Sequence, residues 1–264
     1  MRLKVLKEIL SWVDCGTSKK RILINYLRFG DSLNKFRGKH TGCRAFVVGN
    51  GPSLNSIDMS LLKDEITFGS NRVYLGFKVW GFHFKYWASI DTRCIVQLYR
   101  EYNSKLPDEV IKFVPVQYAH YFNMANMYPI NVIYRYDNFP QFSCNPDKVY
   151  EGWTVTYVLL QIAIIMGCNP IYLVGVDYSY KITDKEKKMN GNVWTDPASK
   201  SHFMSGYCAS DKGIVWNIPK FDKTDKAFEY AAKLSKEKGI EIYNATPGSK
   251  LKFFPFVKFE NIFK

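Results

Sequence analysis

Polar residues with the chemistry of nucleotide recognition stand just beyond four short apolar runs of the chain. Asn50 and Ser53 follow residues 45–48, Asn71 and Arg72 follow residues 65–69, Asp91 and Arg93 follow residues 86–90, and Asp177 and Tyr178 follow residues 171–175. Asn and Asp side chains bind ribose hydroxyls or base edges, and a guanidinium receives phosphate. In Gly49-Asn50-Gly51-Pro52-Ser53 two glycines let the backbone approach a ligand closely, with N–H groups near Gly51 available to a phosphate. Each of these residues alone serves equally well as a turn former or a cap. Their recurrence at the ends of consecutive runs points to a nucleotide site.

A second group lies in Lys200-Ser201-His202-Phe203-Met204-Ser205-Gly206-Tyr207. An imidazole that titrates near neutrality suits a general base removing a proton from an acceptor hydroxyl, and a solvated loop histidine is the plain alternative. Tyr207, Tyr178 and Tyr180 could donate to a phosphate leaving group. A metal centre is not suggested: the chain has no Asp-x-Asp pair, and its four histidines and six cysteines show no zinc-ligand spacing. Asp91 and Asp177 could hold Mg²⁺ if the fold brings them together. GxxxxGK[ST] and GxSxG signatures are also absent.

The elements that must position these groups alternate in type. Apolar runs bounded by turn formers predict strands at 45–48, 65–69, 86–90, 110–115, 131–134, 171–175 and 240–243, with helices at 57–62, 154–166 and 224–238. Such alternation implies an α/β fold with a mostly parallel sheet covered on both faces, and ligands gather at the carboxyl ends of its strands. Residues 179–218 are polar and poor in periodicity, as expected of a lid. Residues 1–42 are expected to form a basic amphipathic helical segment, and residues 43–264 the α/β domain that carries the candidate site.

The 264 residues carry a formal net charge of +13 with 47% hydrophobic content, which excludes a disordered chain. Residues 1–44 hold eleven Lys/Arg against three acids. The spacing of Leu3, Leu6, Ile9, Leu10 and Val13, followed by Ile22–Leu27 between basic clusters, fits a helix on an anionic membrane surface or one packed on the domain with a solvated basic face. The scattered cysteines fit a reducing compartment, and Lys7 and Glu8 interrupt any secretory apolar region, so a cytoplasmic location is expected, on or near the inner membrane face. Residues 152–176 lack charge, but Gly167-Cys168-Asn169-Pro170 divides them into a buried helix and a buried strand rather than a membrane span.

Gly49-Asn50-Gly51-Pro52-Ser53-Leu54, Ser70-Asn71-Arg72, the run from Gly167 to Tyr178 and Ser201-His202 with Gly206 resemble two related groups. One is the bacterial lipo-oligosaccharide sialyltransferases, which are Rossmann-like, use a CMP-activated sugar and need no metal. The other is the 6-hydroxymethylpterin diphosphokinase-like family, which the closing run 244–251 resembles more. The resemblance spans residues 43–263 and implies a Rossmann-like fold in which Asn50, Gly51 and Ser53 meet the nucleotide phosphate and ribose, and Asn71 the ribose or sugar. Thr154 and Thr156 would face the donor together with the N-terminal N–H groups of their helix. Departures from the sialyltransferase pattern are Asp91, where that group has an asparagine, and Val155, where it has a serine. Their catalytic histidine aligns near Tyr207.

These features lead to the expectation of a glycosyltransferase of surface-glycan assembly, using a nucleotide-activated sugar such as a CMP-nonulosonate, a glycan or lipid-linked acceptor and no required cofactor. The alternatives are an Mg²⁺-dependent pterin diphosphokinase using ATP, with Asp91 and Asp177 as metal ligands, and a non-catalytic glycosylation accessory protein. A homo-oligomer is compatible with the sequence. Nucleic acid is disfavoured as a partner, because the excess charge is concentrated in the N-terminal segment.

Overall fold

Ala45–Val48 is buried on both faces, as an uncharged apolar run between turn formers should be, and this strand (β1) lies in the interior of the sheet. The structure, a computed structural model, describes residues 2–11, 18–134, 136–180, 187–190, 193–195, 199–208, 214–217 and 219–264. Helices α1 (Arg2–Ser11) and α2 (Lys19–Phe29) precede β1. Then follow β2 (Ile66–Ser70), α3 (Phe77–Trp80), β3 (Tyr86–Ala88), α4 (Thr92–Lys105), β4 (Ile111–Pro115), β5 (Met127–Ile130), β6 (Val132–Ile133) and β7 (Val149–Tyr150). The chain continues through α5 (Val155–Ile165), β8 (Ile171–Val174), β9 (Lys187–Asn190), β10 (Val193–Thr195), β11 (Trp216–Asn217), α6 (Phe221–Glu237) and β12 (Ile242–Asn244).

Seven strands form one sheet in the order β12-β8-β1-β2-β3-β4-β5, and every pairing in it is parallel. The register sets Ala45 between Ile66 and Ile171. Both faces are covered. On one, Tyr86 packs with Phe36, Phe68 and Phe113, and Gly38 and His40 donate backbone bonds to the end of α5 at Ile165 and Met166. On the other, Trp87 packs against Tyr102 of α4, and Phe46 stacks between Tyr172 and Phe263 of the C-terminal segment. The expected α/β, Rossmann-like architecture is the one observed.

The uncharged run 152–176 resolves into α5 and β8. Ten of the eleven α5 residues are buried, between β1 and β2 on one side and β7 on the other. Among the described residues no helix is long and apolar enough to cross a membrane. Gln161 sits fully buried in this helix and uses its whole amide: Oε1 accepts from the Ser143 and Tyr150 backbone N–H groups (2.9 and 3.0 Å), and Nε2 donates to the Tyr150 and Tyr157 carbonyls.

Several expected elements differ in detail. Residues 57–62 form no α-helix; Pro52–Ser56 and Met59–Leu62 are 3-10 turns, the second capped by Asp58. The strand expected at 131–134 is β6, which pairs with β7 outside the main sheet, and the main sheet's edge strand β5 lies just before it, at a stretch that the sequence pattern leaves without a strand. The final helix begins at Phe221 rather than 224. Residues 179–218 hold more order than their composition suggests: β9, β10 and β11 make a small antiparallel sheet, and Phe203, Tyr207 and Cys208 are buried in the main core. Parts of the expected lid lie outside the described residues. The N-terminal helices are packed on the body, where Val5, Ile9, Ile22 and Tyr26 form a cluster with Val116 and Ile133.

Candidate functional site

From β1 the sheet grows outward through β2 to β5, and the chain then crosses by α5 to β8 on the other side of β1. Crevices outside the carboxyl ends of such diverging strands are where open α/β sheets bind ligands. The turn after β1 and the turn after β8 meet at this point. Gly49 and Gly51 donate to the Val174 and Gly175 carbonyls (2.7 and 2.9 Å). The Ser53 hydroxyl and backbone N–H bind the two oxygens of Asp177 (2.7 and 3.2 Å). A Cβ at Gly51 would fall 1.7 Å from Asp177 Oδ2, and one at Gly49 would fall 2.4 Å from the Gly175 carbonyl oxygen. The glycines are thus required for one turn to lie on the other. The Gly51 and Ser53 N–H groups, expected at a phosphate, are spent on this contact, and Ser53 and Asp177 brace the turn.

Asn50 and Asn71 emerge from adjacent strand ends with complementary unused valences. Asn50 Nδ2 donates to the Ser70 carbonyl and approaches its hydroxyl (3.2 and 3.1 Å). Because a carbonyl only accepts, this bond fixes the orientation of the amide and leaves Oδ1, a buried acceptor, without a protein donor among the described residues. Asn71 holds a left-handed conformation (φ 50°), which asparagine tolerates, and its backbone carbonyl accepts from Trp87 Nε1 (2.8 Å). Its Oδ1 accepts from the Ser89 hydroxyl (3.0 Å), so Nδ2 is the group left over. An acceptor beside a donor, on strands about 4.8 Å apart, suits a ribose diol or the mixed edge of a base.

Arg72 is not available to a phosphate in this arrangement. Its side chain is almost fully buried, pairs with Glu101 at 2.8 Å and donates to the Gly206 and Tyr207 carbonyls. It anchors segment 199–208, whose Phe203 N–H donates to the Asn50 carbonyl (3.0 Å) and whose Phe203 carbonyl accepts from Asn55. His202 is carried by this segment to the edge of the turn. Its ring stacks on Tyr207 at 4.0 Å, with Nδ1 3.3 Å from Cys208 Sγ. Burial, aided by the nearby Arg72 charge, lowers the His202 pKa to about 4. Tyr207 is buried, its phenol pKa is driven well above the ordinary value chiefly by burial, and its hydroxyl accepts from the Arg72 N–H (3.4 Å). It is a wall of the core in this state.

Asp91 caps α4, accepting from the Arg93 and Cys94 N–H groups (2.8 and 3.0 Å), and also receives Asn217 Nδ2 (3.3 Å). Asp91 and Asp177 follow strands three positions apart, roughly 14 Å at the usual strand spacing, and so do not fit one shared Mg²⁺. Among the described residues no cluster of three or more His, Cys, Asp or Glu could hold a metal. Thr154 caps α5 by accepting from the Thr156 N–H, and Thr156 is buried. The start of α5 therefore opens on the same sheet edge, beside a cleft of about 290 Å³ lined by Tyr136, Glu151, Trp153 and Lys223. Tyr178 turns away from the Asn50 turn: its hydroxyl meets Thr224 and Asp225 (2.6 and 2.7 Å), and burial raises its pKa. A second cleft of about 420 Å³ beside it bears Lys250, Lys252, Phe221 and Phe253.

The supporting residues Ser70, Ser89, Asn55, Trp87 and Glu101 escaped the sequence reading. Only Ser70, directly before Asn71, carried a signal. The closing run braces the second turn, since Thr246 Oγ1 accepts from the Val176 N–H (3.0 Å), Ser249 Oγ donates to the Val176 carbonyl (2.6 Å) and the Lys250 N–H donates to the Asp177 carbonyl (3.0 Å).

Comparison with solved structures finds a MAf glycosyltransferase from Magnetospirillum magneticum AMB-1 with a TM-score of 0.50 and 12% identity, covering 93% of this chain and 39% of the other. This chain thus spans well under half of that protein. The sialyltransferase CST-II, solved with a trisaccharide acceptor and CMP, aligns with a TM-score of 0.43 and 17% identity over 81% of this chain and 85% of the other. At 12% identity the likeness to the MAf glycosyltransferase is one of fold. No curated protein matches. Residues 20–183 match the family described as 6-hydroxymethylpterin diphosphokinase MptE-like; that span covers more than half of the chain and takes in both turns of the site, and the protein belongs to this family.

Proposed function

We propose that the protein is a glycosyltransferase that moves a sugar from a nucleotide-activated donor, with a CMP-nonulosonate the favoured class, to a glycan or lipid-linked acceptor. The observation that carries this reading is the buried Asn50 Oδ1 without a donor, beside the leftover Asn71 Nδ2 at the switch point of the sheet. The fold shared with a glycosyltransferase is consistent with it, and GNGPSL with the IYLVGVDY strand carries the resemblance to the CMP-sugar-using sialyltransferases as well as to the pterin-diphosphokinase-like group. In the proposed step an acceptor oxygen forms a bond to the anomeric carbon, the bond from that carbon to the nucleotide phosphate breaks, and the acceptor proton passes to His202. Nδ1 of His202 faces Cys208, so Nε2 would take the proton; burial keeps the ring neutral near pH 7 and at the same time makes it a weaker base than the free imidazole that the sequence suggests.

The test is a thermal-shift series with CMP, CDP, UDP, GDP, AMP and ATP, each with Mg²⁺ and with EDTA. Stabilisation by CMP that persists in EDTA is expected. Stabilisation confined to ATP or AMP with Mg²⁺ would replace this reading with pyrophosphoryl transfer to a hydroxymethylpterin, the activity in the family's description. CMP binding without turnover of any CMP-sugar would point to an accessory role.

A further inference from the structure

Helix α2 has two opposite apolar stripes, and only one meets the protein. Ile22 and Tyr26 face inward into the cluster with Val116 and Ile133, and Asn25 Nδ2 donates to the Val116 carbonyl (3.1 Å). On the far side Leu23, Ile24 and Leu27 are 37%, 53% and 74% exposed. At about 100° per residue these three fall within about 100° of arc. Lys20 lies in the same stripe, with Lys19 on one flank and Arg21 and Arg28 on the other, and all four are exposed. On α1, Leu3 is 67% exposed beside exposed Lys4 and Lys7. The single acid of these two helices, Glu8, is paired with Lys148 at 2.5 Å.

We propose that this outer face of α1 and α2 docks on an anionic lipid surface, with Leu23, Ile24 and Leu27 entering the headgroup boundary and the flanking Lys and Arg meeting lipid phosphates. An apolar stripe bordered by cations and free of acids complements a negatively charged membrane on both counts. A protein partner of ordinary mixed charge would leave the cations unmatched. The 3-10 turn that α2 packs on, Val116–Tyr121, directly follows β4, so the helix sits at the carboxyl edge of the sheet, the edge that also holds the candidate site. The inference is independent of which nucleotide that site binds.

The test is co-sedimentation of the full chain with vesicles of phosphatidylcholine alone and of phosphatidylcholine with phosphatidylglycerol, at low and high salt and without nucleotide. Binding to the anionic vesicles only, weakened by salt, is expected, and L23Q/L27Q should lower partitioning about tenfold or more. Circular dichroism should show that this variant keeps its fold, because both side chains point away from the core. Failure to bind anionic vesicles, or binding that L23Q/L27Q leaves unchanged, would overturn the proposal. A dimer in light scattering that L23Q/L27Q dissociates, without vesicle binding, would assign the face to a second copy of the chain and overturn it equally.

Discussion

Asn50 and His202 show how the environment sets what a side chain can do. The Ser70 carbonyl forces the Asn50 amide to present oxygen, so Asn50→Asp should place a carboxylate where a donor is needed and lose nucleotide binding by about 1–3 kcal/mol, read as a smaller ligand-induced thermal shift. His202 is held neutral by burial, with its pKa lowered to about 4 from the usual 6.5. The unfolded chain therefore binds a proton at this site as pH falls below 6.5, while the folded chain does not until about pH 4. Stability that is intact above pH 6.5 should drain away across that window, by about 3 kcal/mol at most. Denaturant titrations at pH 7 and pH 4.5 should show a smaller loss in His202→Gln than in the parent, and an equal loss would remove His202 as the cause. If His202 is the base, turnover should also hold as pH falls through 6.5 and fail only near the lowered value.

At the scale of elements, the switch point is rigid because helices and turns are stapled by buried polar groups. Gln161 joins α5 to the segment that carries β7, and both halves of its amide are satisfied. Gln161→Leu keeps the volume roughly but strands the Ser143 and Tyr150 N–H groups and the Tyr150 carbonyl in the core. At about 1–3 kcal/mol for each buried unpaired group, a loss of about 3 kcal/mol or more is expected in urea unfolding. Segment 199–208 is held in the same manner by Arg72 with Glu101 behind it, so the histidine side of the site is part of the packed body in this state.

For the whole molecule, the sheet order decides which strand ends face one ligand. β1, β2 and β8 are neighbours and bring Asn50, Asn71 and Asp177 together, whereas β3 holds Asp91 farther off. A ligand that binds only the folded chain adds about 2.7 kcal/mol at a hundred times its Kd, so the nucleotide panel should raise Tm by several degrees for the correct base. The same sheet edge carries α2, so binding of lipid and of nucleotide can be measured separately on one molecule.

The strands β1, β2, β3, β4, β8 and β12, the buried helix α5 and the Gly-Asn-Gly turn were legible in the sequence because burial on two faces demands mainly apolar runs, with Thr67 and Lys112 as buried exceptions, and turns demand glycine and asparagine. Period alone also gave the amphipathic N-terminal helices. What it could not supply was the partner of each polar residue. Arg72 reads as a phosphate ligand until Glu101, 29 residues on, takes its charge, and Ser53 and Asp177 read as ligand groups until the turns they belong to close on each other across 124 residues. Local sequence determined where strands end and which side chains stand there; strand order, a property of the folded chain, decided which of those side chains spend their hydrogen bonds on the protein and which keep them for a ligand.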